Sequence, residues 1–182
     1  MRRAVLALAL TAVVAEPVYA LSCLRPNIAR TFNRVAEAPD VYAMGLGRLE
    51  QTGPAVNLPP PPPDNPPSTP GVEQPVEPFG IPQEVPARFA GGFYGLNGLG
   101  EDISVEVTVD VTCLAMWCGS FPASDEPVLV FLKQTEGPFR LESGPCEGDF
   151  RIAPTEQELS ILQSCLAAGM CTDAQVDLLE PH

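Results

Sequence analysis

Every second residue from position 103 to position 113 is apolar: Ile103, Val105, Val107, Val109, Val111 and Cys113 alternate with Ser104, Glu106, Thr108, Asp110 and Thr112. A period of two puts one face of a strand on a core and the other in water. A continuous apolar run follows at residues 128–132, and Cys113, Cys118 and Cys146 lie in or beside this region. The rest of the chain is expected to be organised around a disulfide-bonded β domain.

Other segments supply partners for that strand. Residues 41–50 read as a strand whose Gly45 and Gly47 share one face, a pattern that suggests a bend where another backbone comes close. Phe89, Phe93 and Tyr94 mix with Gly91, Gly92, Gly95, Gly98 and Gly100, which we read as a glycine-kinked strand and turn. A phosphate cradle would need a helix after the glycines, and here a strand follows. Residues 128–133 and 139–143 read as two more strands joined through Gly137-Pro138. About five strands result, which suits a small barrel in a mainly β, α+β chain.

Helices flank this β part. Ile28, Phe32 and Val35 fall at spacings of four and three, and Pro39 ends the helix they predict. Near the other end, Thr155 with Glu158 and Thr172 with Gln175 have capping-box spacing. Leu159, Leu162 and Leu166 stripe the first of these helices, Gly169 is its expected stop, and Val176, Leu178 and Leu179 serve a shorter second one.

Residues 1–20 read as an export signal: Arg2 and Arg3 precede an apolar run at 4–15, and Val18-Tyr19-Ala20 is a small-residue cleavage pattern. The mature chain would start at Leu21. The alternative of a membrane anchor needs about 20 apolar residues. A lipoprotein is a second alternative, since Cys23 closely follows the apolar run; a membrane partner enters only if Cys23 is acylated. The expected location is therefore exported, periplasmic or extracellular. Six cysteines in such a compartment are expected to form disulfides, so Cys23, Cys113, Cys118, Cys146, Cys165 and Cys171 are all candidates.

Removing the signal leaves 8 basic against 22 acidic residues, a net charge near −14. Phosphate backbones and anionic membrane surfaces need basic clusters that this chain lacks, so no nucleic-acid partner is expected. Between residues 51 and 88 lie 13 of the 22 prolines, including the run Pro59 to Pro63. Such a segment cannot build a packed core, and extended polyproline II with disorder is expected. It reads as a stiff spacer or, alternatively, as a ligand for an aromatic groove.

Catalysis finds little support. The only histidine is His182, at the very end, which removes the usual base of Ser-His-Asp and Cys-His chemistry. Glu101-Asp102, Asp125-Glu126 and Glu147-Asp149 are carboxylate pairs in expected turns, where solvation is their ordinary state. Cys113 and Cys118 are separated by four residues, not the two of a redox motif. The chain therefore reads as a non-enzyme without cofactor or metal. Trp117, the only tryptophan, either covers a disulfide or stands exposed as an anchor for a partner.

Leu21-Ser22-Cys23, a helix with Phe32-Asn33 and Ala36, and then residues 41–47 resemble the opening of netrin-type domains and tissue inhibitors of metalloproteinases. Cys118-Gly119, the run Val128-Leu129-Val130-Phe131 and then Cys146 resemble the later Cys-Gly, apolar strand and cysteine order of those families. The resemblance covers most of the chain outside the proline insertion. It implies a five-stranded OB-type barrel with helices packed on it and a protein-binding role, with a protease as the partner class. It also implies that Cys23 bridges to Cys118 or Cys146, that Cys113 pairs locally or with whichever of these remains, and that Cys165 pairs with Cys171 or back to the barrel. The inhibitors begin with a Cys-x-Cys that binds the protease zinc, whereas here two residues precede Cys23 and position 25 is arginine.

The expected organisation is a signal peptide at 1–20, the first helix and strand at 21–50, a disordered proline-rich insertion at 51–88, the remainder of the barrel at 89–150 and a helical segment at 151–182. The expected function is an exported, disulfide-stabilised module that binds a protein through Leu21, Ser22, Leu24, Arg25 and Trp117. A structural cell-envelope protein or lipoprotein with a proline spacer is the alternative.

Overall fold

Asn27 starts the first ordered element by accepting hydrogen bonds from the backbone of Ala29 at 3.0 Å and Arg30 at 3.3 Å, which satisfies two otherwise orphaned donors. The computed structural model describes residues 27–59, 80–146 and 148–180. Helix α1 (Ile28–Glu37) buries Ile28, Ala29, Phe32 and Val35 and stops at Ala38, because the residue before a proline is pushed out of helical geometry. Strand β1 (Tyr42–Gln51) follows, then β2 (Val56–Asn57), β3 (Gln83–Gly95) and β4 (Gly98–Val111). A short hairpin of β5 (Cys113–Leu114) and β6 (Trp117–Cys118) leads to β7 (Val128–Lys133), β8 (Phe139–Ser143) and β9 (Phe150–Ile152). Helices α2 (Glu156–Ala168) and α3 (Asp173–Leu178) close the chain.

The strands form a mixed sheet in the order β1-β3-β4-β8-β7-β9. β1 also pairs with β7 along its other edge, from Tyr42↔Lys133 to Gly47↔Val128, so the order returns to its starting strand. All contacts are antiparallel except β4 with β8, which run parallel from Val107↔Phe139 to Val111↔Ser143. β2 extends the sheet beside β3, and β9 beside β7. The five strands expected from the sequence are those of this circuit; β2, β9 and the β5-β6 hairpin are additions too short to show a period.

Two apolar cores share β7. Val128, Val130 and Leu132 join Leu49, Val85, Ala87, Phe89, Val107, Val109, Val111 and Leu141 on one side. Leu129 and Phe131 join Met44 and the buried faces of α1 and α2 on the other. A strand buried on both faces has no solvent side to write in polar residues, which is why 128–132 is continuously apolar while β4 alternates.

The alternation of β4 reaches the core only over part of its length. Val107, Val109 and Val111 are buried, but Ile103 is 47% exposed. β8 pairs with β4 only from Val107 onward, so among the described residues no strand lies on that edge beside Ile103.

Gly47 and Gly91 sit opposite each other in the β1-β3 ladder. A Cβ on Gly47 would stand 2.2 Å from the Ala90 carbonyl oxygen and 2.7 Å from the Gly91 Cα, and one on Gly91 would stand 2.3 Å from the Leu46 oxygen. Gly47 thus serves the close approach of two backbones, as the spacing suggested, whereas Gly45 makes room for rings, since a Cβ there would stand 2.9 Å from both Phe89 and Phe93.

The proline-rich insertion is shorter than its composition implied. Residues 83–88 belong to β3 and 56–57 to β2, although 51–88 was expected to be disordered. Val85, Ala87 and Phe89 alternate into the core, a signal obscured by the neighbouring prolines. Pro86 fits because the β1 register ends at Gln51↔Ala87, so no ladder donor is required of it; its carbonyl accepts from Thr52 N–H at 2.9 Å.

Both expected capping boxes close: Glu158 N–H donates to Thr155 Oγ1 at 3.1 Å and Thr155 N–H to Glu158 Oε2 at 2.7 Å. At α3 the same exchange joins Thr172 and Gln175. Gly169, with φ of +87°, ends α2 in the left-handed region where a Cβ is costly.

Candidate functional site

The loop between β4 and β7 is closed on itself. Cys113 and Cys118 face each other in the β5-β6 ladder and are joined by a disulfide, with Leu114 opposite Trp117 and Ala115-Met116 at the turn. Turns are ordinarily polar, yet this one presents Leu114 (56% exposed), Met116 (56%) and Trp117 (50%). Trp117 therefore keeps half of its surface in solvent instead of lying buried over a disulfide. The sequence reading singled out Trp117 alone; the signal for its companions is the apolar filling, Leu-Ala-Met-Trp, of the Cys-x4-Cys loop.

The base of this hairpin lies against the end of β8. Gly119 N–H donates to Thr112 O at 2.9 Å, and Ser143 Oγ donates to Ser120 O at 2.7 Å. Here a cleft of about 510 Å³ is lined by residues including Cys118, Ser120, Cys146, Phe150 and Arg151. Arg151 Nη2 forms an ion pair with Glu158 Oε1 at 2.9 Å, while its buried Nε has no hydrogen-bond partner among the described residues.

The structure sorts the cysteine expectations. Cys113 pairs with Cys118 and Cys165 with Cys171, and Cys146 is also disulfide-bonded. A Cys23 bridge to Cys118 is thereby excluded, because Cys118 already has its partner in the same hairpin. Cys23 itself, with Leu21, Ser22, Leu24 and Arg25, lies outside the described residues, as do the signal segment, Glu147 and His182. Among the described residues no cysteine is free.

Asp149 departs from the solvated state expected of it. It is 2% exposed and paired with Arg34 of α1, while its carbonyl accepts from Phe131 N–H at 2.7 Å. Burial lowers the Arg34 pKa, but hydrogen bonding and charge from Asp149 outweigh it and hold the guanidinium above its ordinary value. Asp149 thus anchors a helix to the sheet. Glu101, Asp102, Asp125 and Glu126 are exposed as expected, but Glu101 and Asp102 lie in strand β4 and not in the turn expected of them. No group of three or more His, Cys, Asp or Glu among the described residues could hold a metal ion.

On the solvent face of β4, Arg140 from β8 reaches Asp110, with its Nε at 2.7 Å from Oδ2, and pairs with Glu84 of β3. Hydrogen bonds that Arg140 donates to Asp110 and then to Glu84 raise its pKa against partial burial. The water-facing side of β4 thus carries a tie across three strands.

Compared with protein-family models, with curated proteins and with solved structures, this chain gives no match. Its disulfides suit an oxidising compartment, and no described helix is long and apolar enough to cross a membrane.

Proposed function

We propose that this chain is an exported, disulfide-stabilised module that binds another protein through the β5-β6 hairpin and the neighbouring mature N-terminus. The observation that carries the reading is the exposed trio Leu114, Met116 and Trp117 on a hairpin that its own disulfide holds in shape. Large apolar side chains on a rigid support pay little ordering entropy on binding, and aromatic residues of this kind anchor interfaces.

The supporting frame is read as an OB-type barrel of the netrin-like sort. In its favour are the circuit β1-β3-β4-β8-β7 back to β1 and the single parallel contact between β4 and β8. A bridge between Cys23 and the disulfide-bonded Cys146 would bring the mature N-terminus to the cleft beside the hairpin, so residues 21–25 and Trp117 would form one surface. A protease is the partner class that this reading favours. The spacer alternative has less support: Leu58 N–H donates to Pro82 O at 2.8 Å, so the proline segment leaves and re-enters the sheet at one place.

The test is capture from the exported fraction with the mature chain, with W117A, and with a variant lacking residues 60–79. Capture lost in W117A and kept in the deletion supports the hairpin as binder. Capture lost only in the deletion would overturn it in favour of the proline segment. Inhibition is tested by a protease panel with the purified mature chain; no effect at micromolar concentrations ends that part of the proposal.

A further inference from the structure

One edge of β4 is paired over only part of its length. Thr112, just past the strand, donates its N–H to Ser143 O of β8 at 3.0 Å, and the β3-β4 register is unbroken from Asp102 to Val111. Backbone groups of successive residues in a strand point to opposite edges. Asp102, Ser104 and Glu106 therefore aim their N–H and C=O groups the way Thr112 does, away from β3. Among the described residues no strand pairs with them, because the β8 register starts at Val107↔Phe139. Pro138 precedes β8 and lacks an N–H, and Thr135 Oγ1 holds the turn there by donating to the Pro138 carbonyl at 2.7 Å. β8 thus stops short of Glu106.

The open edge is held in shape from behind. Its neighbours in β3, from Arg88 to Gly92, are themselves paired with β1 from Glu50 to Leu46, and Gln163 of α2 donates to Gly95 O at the hairpin tip at 3.2 Å. A rigid row of open donors and acceptors is a template for one more strand. The side chains along it select which strand. Ile103, 47% exposed, and Val105 share the face of Val107, while Asp102, Ser104 and Glu106 share the opposite face. No Lys or Arg occurs between Arg88 and Lys133, and among the described residues Glu101, Asp102 and Glu106 form no ion pair. Arg88 stands opposite Glu106 on β3, which leaves the stretch net acidic. Two copies paired antiparallel about Ser104 would set Asp102 against Glu106 twice, and like charges directly opposite repel. The charges that bar a second copy attract a basic strand.

We propose that the β4 edge from Asp102 to Glu106 takes up an extended segment of a partner protein, in which Lys or Arg alternates with aliphatic residues, as an added antiparallel strand. Its basic side chains meet Asp102 and Glu106, and its aliphatic ones cover Ile103 and Val105. Antiparallel pairing is the stabler arrangement per residue, and the start of β8 limits the added strand to about five residues. Glu106 lies six positions before Thr112, about 20 Å along an extended strand from the base of the Trp117 hairpin. The edge is thus a second surface, and the proposal does not rest on the hairpin reading.

The test titrates the mature chain with a labelled peptide of about seven residues in which lysine alternates with valine, read by fluorescence anisotropy and by amide hydrogen exchange. Saturable binding is expected, with exchange at the Ser104 and Glu106 amides slowed about tenfold and little change at Ile103 and Val105, which β3 already holds. Methylating the lysine amides, which point at β4 in an antiparallel pair, should abolish binding; methylating the valine amides should not. D102K/E106K should bind the peptide about tenfold more weakly and take up a glutamate-valine peptide instead. S104P removes one edge donor without touching the β3 ladder and should also weaken binding. If D102K/E106K does not fold, S104P and the methylated peptides decide. Equal binding of both methylated peptides overturns the proposal in favour of charge alone, and no saturable binding up to about a millimolar overturns it outright. Slow exchange at Ser104 and Glu106 before any peptide is added also overturns it, in favour of a second copy if gel filtration shows a dimer and of the chain's own segment if it shows a monomer. W117A should leave every one of these readouts unchanged, so they stand or fall apart from the capture experiment.

Discussion

Asn33 of α1 and Cys171 of the α2-α3 turn exchange two hydrogen bonds through one side-chain amide: Nδ2 donates to the Cys171 carbonyl at 3.0 Å, and Oδ1 accepts from the Cys171 N–H at 2.8 Å. Cys171 is buried, so its backbone groups have no water to turn to. N33A is expected to lower stability by about 2 kcal/mol in denaturant unfolding, while N33D, which keeps the acceptor, costs less. A loss in N33A within the error of the wild type would mean that solvent reaches this turn.

The disulfide beside that clamp spans only six positions, Cys165 to Cys171. Chain entropy in so short a loop makes it worth about 2 kcal/mol, and the double change C165S/C171S should cost that much. Because Asn33 and the disulfide hold one turn, combining the change with N33A should cost less than the sum of the two. Simple additivity in a double-mutant cycle would show that they act independently.

Arg140 stands between Asp110 and Glu84, and all three are partly solvated. R140Q leaves two carboxylates beside each other on neighbouring strands, where like charges repel. The expected loss is about 1 kcal/mol at low salt and should shrink toward zero in molar salt as screening grows. A loss independent of salt would assign the effect to packing of the side-chain stem.

Tyr42 and Tyr94 are both held above the ordinary phenol value. Burial is the main cause in each, and at Tyr42 the Asp149 carboxylate adds to it while Lys133 opposes. Below pH about 10 both rings are protonated, folded or unfolded, and contribute no pH dependence. Above it the unfolded chain releases its protons first, so stability falls as pH rises through the folded pKa values. Phenolate absorbance of a chain starting at Leu21 should rise later in native buffer than in denaturant, and Y42F/Y94F should flatten the alkaline loss. Coincident titrations would refute the burial of both rings.

Patterns of short range were legible without coordinates. The helix starts at Thr155 and Thr172, the stop at Gly169, the β4 alternation and the doubly apolar β7 depend on residues within a turn or two of each other, where geometry repeats. Gly47 announced a close backbone, though not that Gly91 would be the one facing it, and Gly45 instead faces the rings of Phe89 and Phe93. The end of the insertion was misplaced because composition over 38 residues outweighed the three alternating positions Val85, Ala87 and Phe89.

What the sequence by itself determined is therefore a set of elements: an alternating strand, a strand apolar throughout, capped helices and an even number of cysteines. Tertiary structure alone decided which of these meet. Asn33 and Cys171 lie 138 positions apart, Asp110 and Arg140 lie 30 apart, and the buried Asp149 is paired with Arg34 of α1, 115 positions away. Cys118 could have closed onto several partners, and the β5-β6 register selected Cys113. These pairings depend on how the whole circuit of strands closes, a long-range event that leaves no local period in the chain.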